Sequence, residues 1–365
     1  MKSKIHENQK NNKISLSKKK ILLVAVLQFL MVLGGCSGDE SQPAEELFKD
    51  GIKADFITVN SGNDFAIGTD NATYTLGDRQ DEKGLNHQSL IKIDSEGKET
   101  VLKKFDGTYP FAKLTITSTG DVLLISKGNQ SPDQDKILRF ENNFSELNAF
   151  YTMKPISSPF ASKINLFTIC NNNDNTYFVF DYDNKNIKRV LPELNTDVFV
   201  AGTGKNEVKD GKGLEAGIAT VLKIISLNKV LYFIDELRIK DTTNNVWTYP
   251  LVSSNIRKLE YINNEWVITT LISTTNENEI YKDIAFDSNN DLYVSVWGKG
   301  IYKLNLLNNT LSLFIDRSEV KIWTTTKRDF IDFRYINGFK FKNNDLYVLN
   351  NGLIKISDYQ SKLFK

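Results

Sequence analysis

The feature that most constrains this chain is a repeated unit of four short strands, clearest between Asp283 and Ile315. Apolar residues alternate through Ile284 and Phe286. They resume at Leu292, Val294 and Val296, return at Ile301, Tyr302 and Leu304, and end at Leu311, Leu313 and Ile315. Alternation at a period of two is the signature of a pleated strand. Asp287 to Asp291 and Asn308-Asn309 separate the runs. Asn tolerates the positive φ that tight hairpin turns require. A single unit of this kind reads equally well as a meander in a sandwich, so repetition decides.

The unit recurs. Second strands are expected at Phe65-Ala66-Ile67, Leu123-Leu124-Ile125, Tyr177-Phe178-Val179, Leu231-Tyr232-Phe233, Leu292-Tyr293-Val294 and Leu346-Tyr347-Val348. Third strands follow the same plan, from Leu90-Ile91-Lys92-Ile93 in the first unit to Leu353-Ile354-Lys355-Ile356 in the last. The centres lie 54 to 61 residues apart. Six consecutive units of four antiparallel strands predict an all-β chain, a six-bladed β-propeller over residues 52–365.

Ala201-Gly202-Thr203-Gly204, Asp210-Gly211-Lys212-Gly213 and Ala216 precede the fourth unit. With the Leu-Tyr-Val and Ile-x-Lys-Ile strands, they resemble NHL repeats, whose blades are joined by an Ala-Gly-x-Gly…Asp-Gly-x-Gly…Ala link. The fourth and fifth units match best and the first departs most. The last strand, at Lys362 to Phe364, is short, so the repeat does not by itself say how the ring closes.

Residues 1–35 stand outside this pattern. Seven lysines lead into an apolar run from Ile21 to Leu33. That run is short for a bilayer span but suits a signal-peptide core. Leu33-Gly34-Gly35-Cys36 resembles the bacterial lipobox. The resemblance implies cleavage before Cys36, diacylation of its sulfur and acylation, as by palmitate, of the new amino terminus. Asp39 and Glu40 resemble the acidic export signal of Bacteroidetes surface lipoproteins. Residues 36–51 then form a flexible tether. The implied location is the cell outer membrane, lipid-anchored and surface-exposed.

The whole chain carries 46 Lys and Arg against 45 Asp and Glu. Seven of those lysines and one acid, Glu7, precede Cys36, so the remainder is acidic by about five charges. No basic excess is left for nucleic acid. With Cys36 lipidated, Cys170 is the single thiol. It sits in an apolar strand and reads as a small buried residue.

In a propeller blade, the first-to-second and third-to-fourth turns share one face; the remaining loops and blade links share the other. The first set reads as tight (Ser61 to Asn63, Ser118 to Gly120, Asn171 to Asn175, Leu227 to Lys229, Ser288 to Asn290, Lys342 to Asn344). The long segments, Thr69 to Gln88, Gly128 to Lys136, Gly202 to Gly217, Glu236 to Ser254 and Asp316 to Tyr335, fall in the second. Length beyond what a connection needs signals function or disorder. These segments supply the candidate ligand-binding residues Arg79, His87, Trp247, Tyr249, Trp323, Arg328 and Arg334; Trp297 stands at a strand end. Flat rings stack on sugars, and guanidinium groups pair with carboxylates.

No catalytic residue and no metal or cofactor site is assigned. His87 is the one histidine after Cys36. Hydrolase, zinc, redox and P-loop motifs are absent. Asp181-x-Asp183 begins like a calcium loop, but Pro192 stands where its closing Glu belongs. Gly202 to Gly213 precedes no helix, so it is no phosphate cradle. Six-bladed calcium lactonases hold a metal with Glu, Asn and Asp alone. Here Asp235, Asp283 and Asp332 lie near strand ends where they could approach a channel, though turn or cap duty explains each. The expected function is a non-enzymatic, lipid-anchored module that binds a glycan, peptide or protein. The alternatives are an accessory subunit of an outer-membrane transporter complex and a carboxylate-metal lactonase or lyase.

Overall fold

The computed structural model describes residues 52–363, apart from 59–61, 81, 106–110, 127–134, 142–145, 155–163, 173, 242–247, 318–319, 324–334 and 351. Cys36 and the expected signal and tether lie outside the described residues.

The chain opens with β1 (Ile52–Thr58), which belongs to the last blade. Blade I is β2 (Gly62–Ile67), β3 (Thr73–Gln80), β4 (Asn86–Ile93) and β5 (Glu99–Lys104). Blade II is β6 (Phe111–Ile116), β7 (Val122–Ser126), β8 (Lys136–Phe140) and β9 (Leu147–Thr152). Blade III is β10 (Leu166–Asn171), β11 (Tyr177–Asp181), β12 (Asn186–Leu191) and β13 (Thr196–Ala201). A short β14 (Gly211–Lys212) lies on the outer edge of blade IV. The rest of that blade is β15 (Val221–Leu227), β16 (Val230–Arg238), β17 (Leu251–Ile262) and β18 (Glu265–Thr274). Blade V is β19 (Tyr281–Phe286), β20 (Leu292–Val296), β21 (Gly300–Asn305) and β22 (Thr310–Asp316). After β23 (Val320–Trp323), blade VI is β24 (Gly338–Lys342), β25 (Asp345–Asn350) and β26 (Gly352–Ile356), followed by the helix α1 (Tyr359–Leu363). The result is a six-bladed β-propeller.

Packing explains why the blades are apolar on both faces. Val122 and Leu124 of β7 join the cluster with Ala66, Leu76 and Leu90 of blade I. Leu123 and Ile125, the alternate residues, join Leu166, Tyr177 and Val179 of blade III. Successive side chains of a strand point to opposite faces, so one strand fills two inter-blade cores. The remaining cores lie between blades III and IV, IV and V, V and VI, and VI and I. The last, with Phe65 and Ile91 against Tyr347 and Leu349, completes the circle. Burial fades outward: all of β20 is buried, whereas β5 is almost wholly exposed.

Ring closure uses the start of the chain. β1 runs antiparallel to β26, with Asp55 opposite Lys355 and Phe56 opposite Ile354. β23 adds in parallel on its other side, pairing Ile52 with Val320 and Asp55 with Trp323. This corrects the repeat phase in the first unit. Phe65-Ala66-Ile67 belongs to the innermost strand, and Thr73–Gln80, expected as part of a long loop, is the second strand. Gly62 and Asn63, expected in a tight turn, begin β2. The last described residues form α1 rather than a strand, and the fully buried Tyr359 donates to Asp287 Oδ2 at 3.2 Å.

Two other expected loops are partly strand. Residues 211–212 pair with Val267 and Ile268 of β18. β16 and β17 run on through much of Glu236 to Ser254, and Asp241 bridges Thr248. The described first-to-second and third-to-fourth strand turns gather on one face, but Gly62 and Asn63, expected among them, enter β2 at its other end. Asn228-Lys229 and Asn263-Asn264 all take positive φ, between 51° and 67°, the conformation a two-residue hairpin turn demands. The described second-to-third-strand connections and blade links lie on the opposite face, termed the wide face below.

Candidate ligand-binding face and central channel

Two clefts open on the wide face. The first, about 700 Å³, lies between blades III and IV and is lined by Tyr182, Lys185, Glu236, Arg238 and Tyr249 among others. Lys185 Nζ stands 3.6 Å from the centre of the Tyr182 ring. Arg238 is held by Glu236, at 2.6 Å, and donates to the Tyr249 carbonyl at 2.9 Å. The second cleft, about 550 Å³, is lined by Asn278, Trp297, Lys299, Asp316, Arg317 and Tyr335. Trp297 meets Tyr335 edge to face with ring centres 4.8 Å apart. Lys282 Nζ lies 5.2 Å from the Trp297 ring. Burial lowers the pKa of Lys282, against the pull of Glu236 from the blade beside it. Burial likewise lowers Lys185, opposed by Asp183, Asp235 and Asp181. Tyr182, Tyr249 and Tyr335 are 38%, 50% and 43% exposed, so their rings remain available for contact.

Of the expected binding residues, Tyr249 and Trp297 line these clefts. Arg79 and His87 do not: they are cross-strand neighbours in blade I, and Arg79 pairs with Glu99 at 2.5 Å. Trp323 lies on β23, with its side chain outside the described residues, as are Trp247, Arg328 and Arg334. Two further clefts open on the tight-turn face, one of about 340 Å³ lined by Tyr261, Trp266 and Arg189, the other of about 450 Å³ near Asp94 and Lys342.

The central channel holds a feature that no stretch of the sequence announces. The third residue of each innermost strand is Asp64, Lys113, Thr168, Lys223, Asp283 and Lys340 in turn. In the first five blades the register slips just before this residue. A bulge of this kind re-aims a side chain. Asp64 Oδ2 accepts from Leu114 N–H at 3.1 Å, and Asp283 Oδ2 from Phe339 N–H at 2.7 Å, each on the following blade. Lys223 Nζ stands 3.4 Å from Asp283 Oδ1 and 4.0 Å from Asp64 Oδ1.

Burial works against the charge on Lys223, but Asp283 and Asp64 outweigh it and raise its pKa above the ordinary lysine value. Burial also opposes the charge on Asp64, and there Lys113, Lys223 and Lys340 prevail, holding it low. Lys340 is pushed down to about 8, first by burial and then by the neighbouring charge of Lys223. Cys170, also in the channel lining, is buried and its thiol is raised to about 12 by that burial; it is a packing residue, as its apolar strand predicts.

The carboxylates weighed for a metal site are otherwise engaged. Asp235 is fully buried against Arg257 at 2.6 Å, Asp283 faces Lys223, and Asp332 lies outside the described residues.

No family model matches the chain, and no curated protein does. Solved structures match by fold. An auxiliary nutrient-binding protein from Bacteroides thetaiotaomicron superposes with a TM-score of 0.53 at 9% identity, over 81% of this chain and 69% of that one. A protein assigned as a gluconolactonase gives 0.51 at 10% identity, over 87% of this chain and 96% of its own. The extracellular domain of a hybrid two-component system from B. thetaiotaomicron gives 0.45 at 10% identity, over 84% of this chain; this chain spans 39% of its length. At these identities the likeness is one of architecture, and propellers host binders and enzymes alike.

Proposed function

We propose that this protein is a cell-envelope lipoprotein with NHL-like blades. In this reading it is anchored to the outer membrane through Cys36, and its wide face binds a glycan, peptide or protein without converting it. The observation that carries the reading is the series of half-exposed rings and adjacent cations across blades III to VI: Tyr182 with Lys185, Tyr249 with Arg238, and Trp297 with Lys282 and Tyr335. Rigid aromatic rings offer broad contact at little entropic cost. Cations beside them add charge-assisted hydrogen bonds to carboxylates. Glycans carrying acidic sugars fit this pairing best. The lysines facing the channel carboxylates support a binding module over a metal-dependent hydrolase, because cations already occupy the places a divalent ion would need. A nutrient-binding protein of the same architecture is consistent with capture at a cell surface.

The test is a glycan array probed with the detergent-solubilised full-length protein, followed by titration of the strongest binder. Trp297→Ala and Tyr249→Ala are each expected to weaken that binding about tenfold. Unchanged binding in both variants refutes the assignment of the face.

A further inference from the structure

We propose that the central channel is a binding site for a small oxyanion of the size of phosphate or sulfate, held by the ammonium groups of Lys113, Lys223 and Lys340 with Thr168 beside them. The site is separate from the wide-face clefts and stands whether or not those clefts bind a glycan.

Charge comes first. Three ammonium groups and two carboxylates occupy equivalent positions on the inner strands. Each carboxylate already gives one oxygen to a backbone N–H of the next blade. The oxygens left over lie nearest Lys223, with Lys113 and Lys340 also acting on Asp64. Lys340 has the ammonium group of Lys223 as its near neighbour, and both Lys113 and Lys340 are partly exposed to the channel. Three ammonium groups against two carboxylates leave one positive charge in excess, and like charges held close together are unfavourable. An anion between them removes that cost, and a metal cation adds to it.

Space agrees. A cavity of about 200 Å³ is lined by Asp64, Lys113, Thr168, Asn171, Lys223 and Lys340 among others. A water molecule claims roughly 30 Å³ of liquid volume, so a tetrahedral oxyanion with a few waters fits. Construction points the same way. Bulges placed before the ring residue in five blades give up regular pairing to aim these side chains. Lys340 Nζ lies 5.5 Å from the centre of the Phe65 ring.

Lys340 also gives the site a pH dependence. The groups facing it are Lys223 on β15, Asp64 on β2, Asp283 on β19, Lys113 on β6 and the Cys170 thiol on β10. Lys223 is held charged by its carboxylates and the thiol is held neutral by burial. Lys340 loses its proton at about 8.

The experiment titrates full-length protein in detergent with sodium sulfate and sodium phosphate, by calorimetry and thermal melting near neutral pH. Sodium chloride at matched ionic strength is the reference. Saturable binding and a raised melting temperature are expected with both oxyanions and not with chloride. Sulfate, whose charge is fixed, is expected to bind several-fold more weakly at a pH about 1.5 units above the Lys340 value. Lys113→Met and Lys340→Met should each lower sulfate affinity about tenfold. Equal responses to chloride and sulfate in the wild type overturn the proposal, as does undiminished sulfate affinity in both variants. The wild-type comparison decides even where a variant fails to fold.

Discussion

Arg257 Nη1 donates to Asp235 Oδ2 at 2.6 Å, and both side chains are fully buried in blade IV. The same guanidinium reaches the carbonyls of Gly217 and Lys209, each at 2.8 Å, and Asp210 Oδ1 at 3.1 Å. Asp235 Oδ1 in turn accepts from Ala219 and Thr220 N–H. One buried ion pair therefore fastens the link between blades III and IV, the stretch that carries the Ala-Gly…Asp-Gly pattern. Removing one member of such a pair strands the other. Arg257→Met is expected to cost about 3–5 kcal/mol, read by urea unfolding. Replacing both residues with apolar side chains of similar volume should cost less than either single change. A single variant within about 1 kcal/mol of wild type contradicts this role.

Lys340 predicts a pH-dependent stability. Its folded pKa, about 8, lies below that of a free lysine. The folded state therefore holds this proton less tightly than the unfolded chain does. The penalty is present in full below the folded value and fades as pH rises from there toward the free-lysine value of about 10.4. Without added oxyanion, Lys340→Met is expected to melt higher than wild type near neutral pH, and the gap should shrink across that window. A gap that is constant or widens with pH speaks against the assigned environment.

Closure by β1 places a demand on the start of the propeller. Asp55 sits in a strand paired on both sides, opposite Lys355 in β26 and Trp323 in β23. Proline there removes a ladder donor and is tolerated only at sheet edges and bulges. Asp55→Pro should therefore lower the melting temperature markedly. Leu307→Ala is the control: this turn residue is 96% exposed, and its truncation should leave melting unchanged. Equal melting of the two variants contradicts the closure.

The proposed lipid anchor is tested by fractionation. Cys36→Ala should move the protein from the membrane fraction to the soluble or uncleaved precursor pool, because acyl chains contribute roughly 0.8 kcal/mol per buried CH₂. Unchanged partitioning and unchanged mass at the amino terminus contradict lipidation.

The number of blades was legible in the sequence because Leu-Tyr-Val and Ile-x-Lys-Ile strands are buried on both faces and recur. Blade I misled for a physical reason. In β3 the residues facing one neighbour are Thr73 and Thr75, buried yet polar, and Thr75 Oγ1 satisfies itself by donating to the Asp64 carbonyl at 3.0 Å. A strand with hydroxyls on a buried face does not announce itself by hydropathy. Tyr249 is legible as an aromatic residue in a long connection and Trp297 as one at a strand end. Their companions Tyr182, Lys185, Lys282 and Tyr335 come from separate parts of the chain and meet them only in three dimensions. The channel ring was hidden for a similar reason: it takes one residue from each inner strand, and those residues differ chemically. Aligning the units on their innermost strands brings Asp64, Lys113, Thr168, Lys223, Asp283 and Lys340 into one column.

The most direct test of the wide face as the binding surface compares two double variants against the strongest binder from the glycan array. Tyr249→Ala with Trp297→Ala alters the wide face; Tyr261→Ala with Trp266→Ala alters the tight-turn face. Binding through the wide face predicts at least about tenfold weaker affinity for the first pair, with wild-type affinity kept by the second. Affinity that survives the first pair and is lost with the second would contradict it.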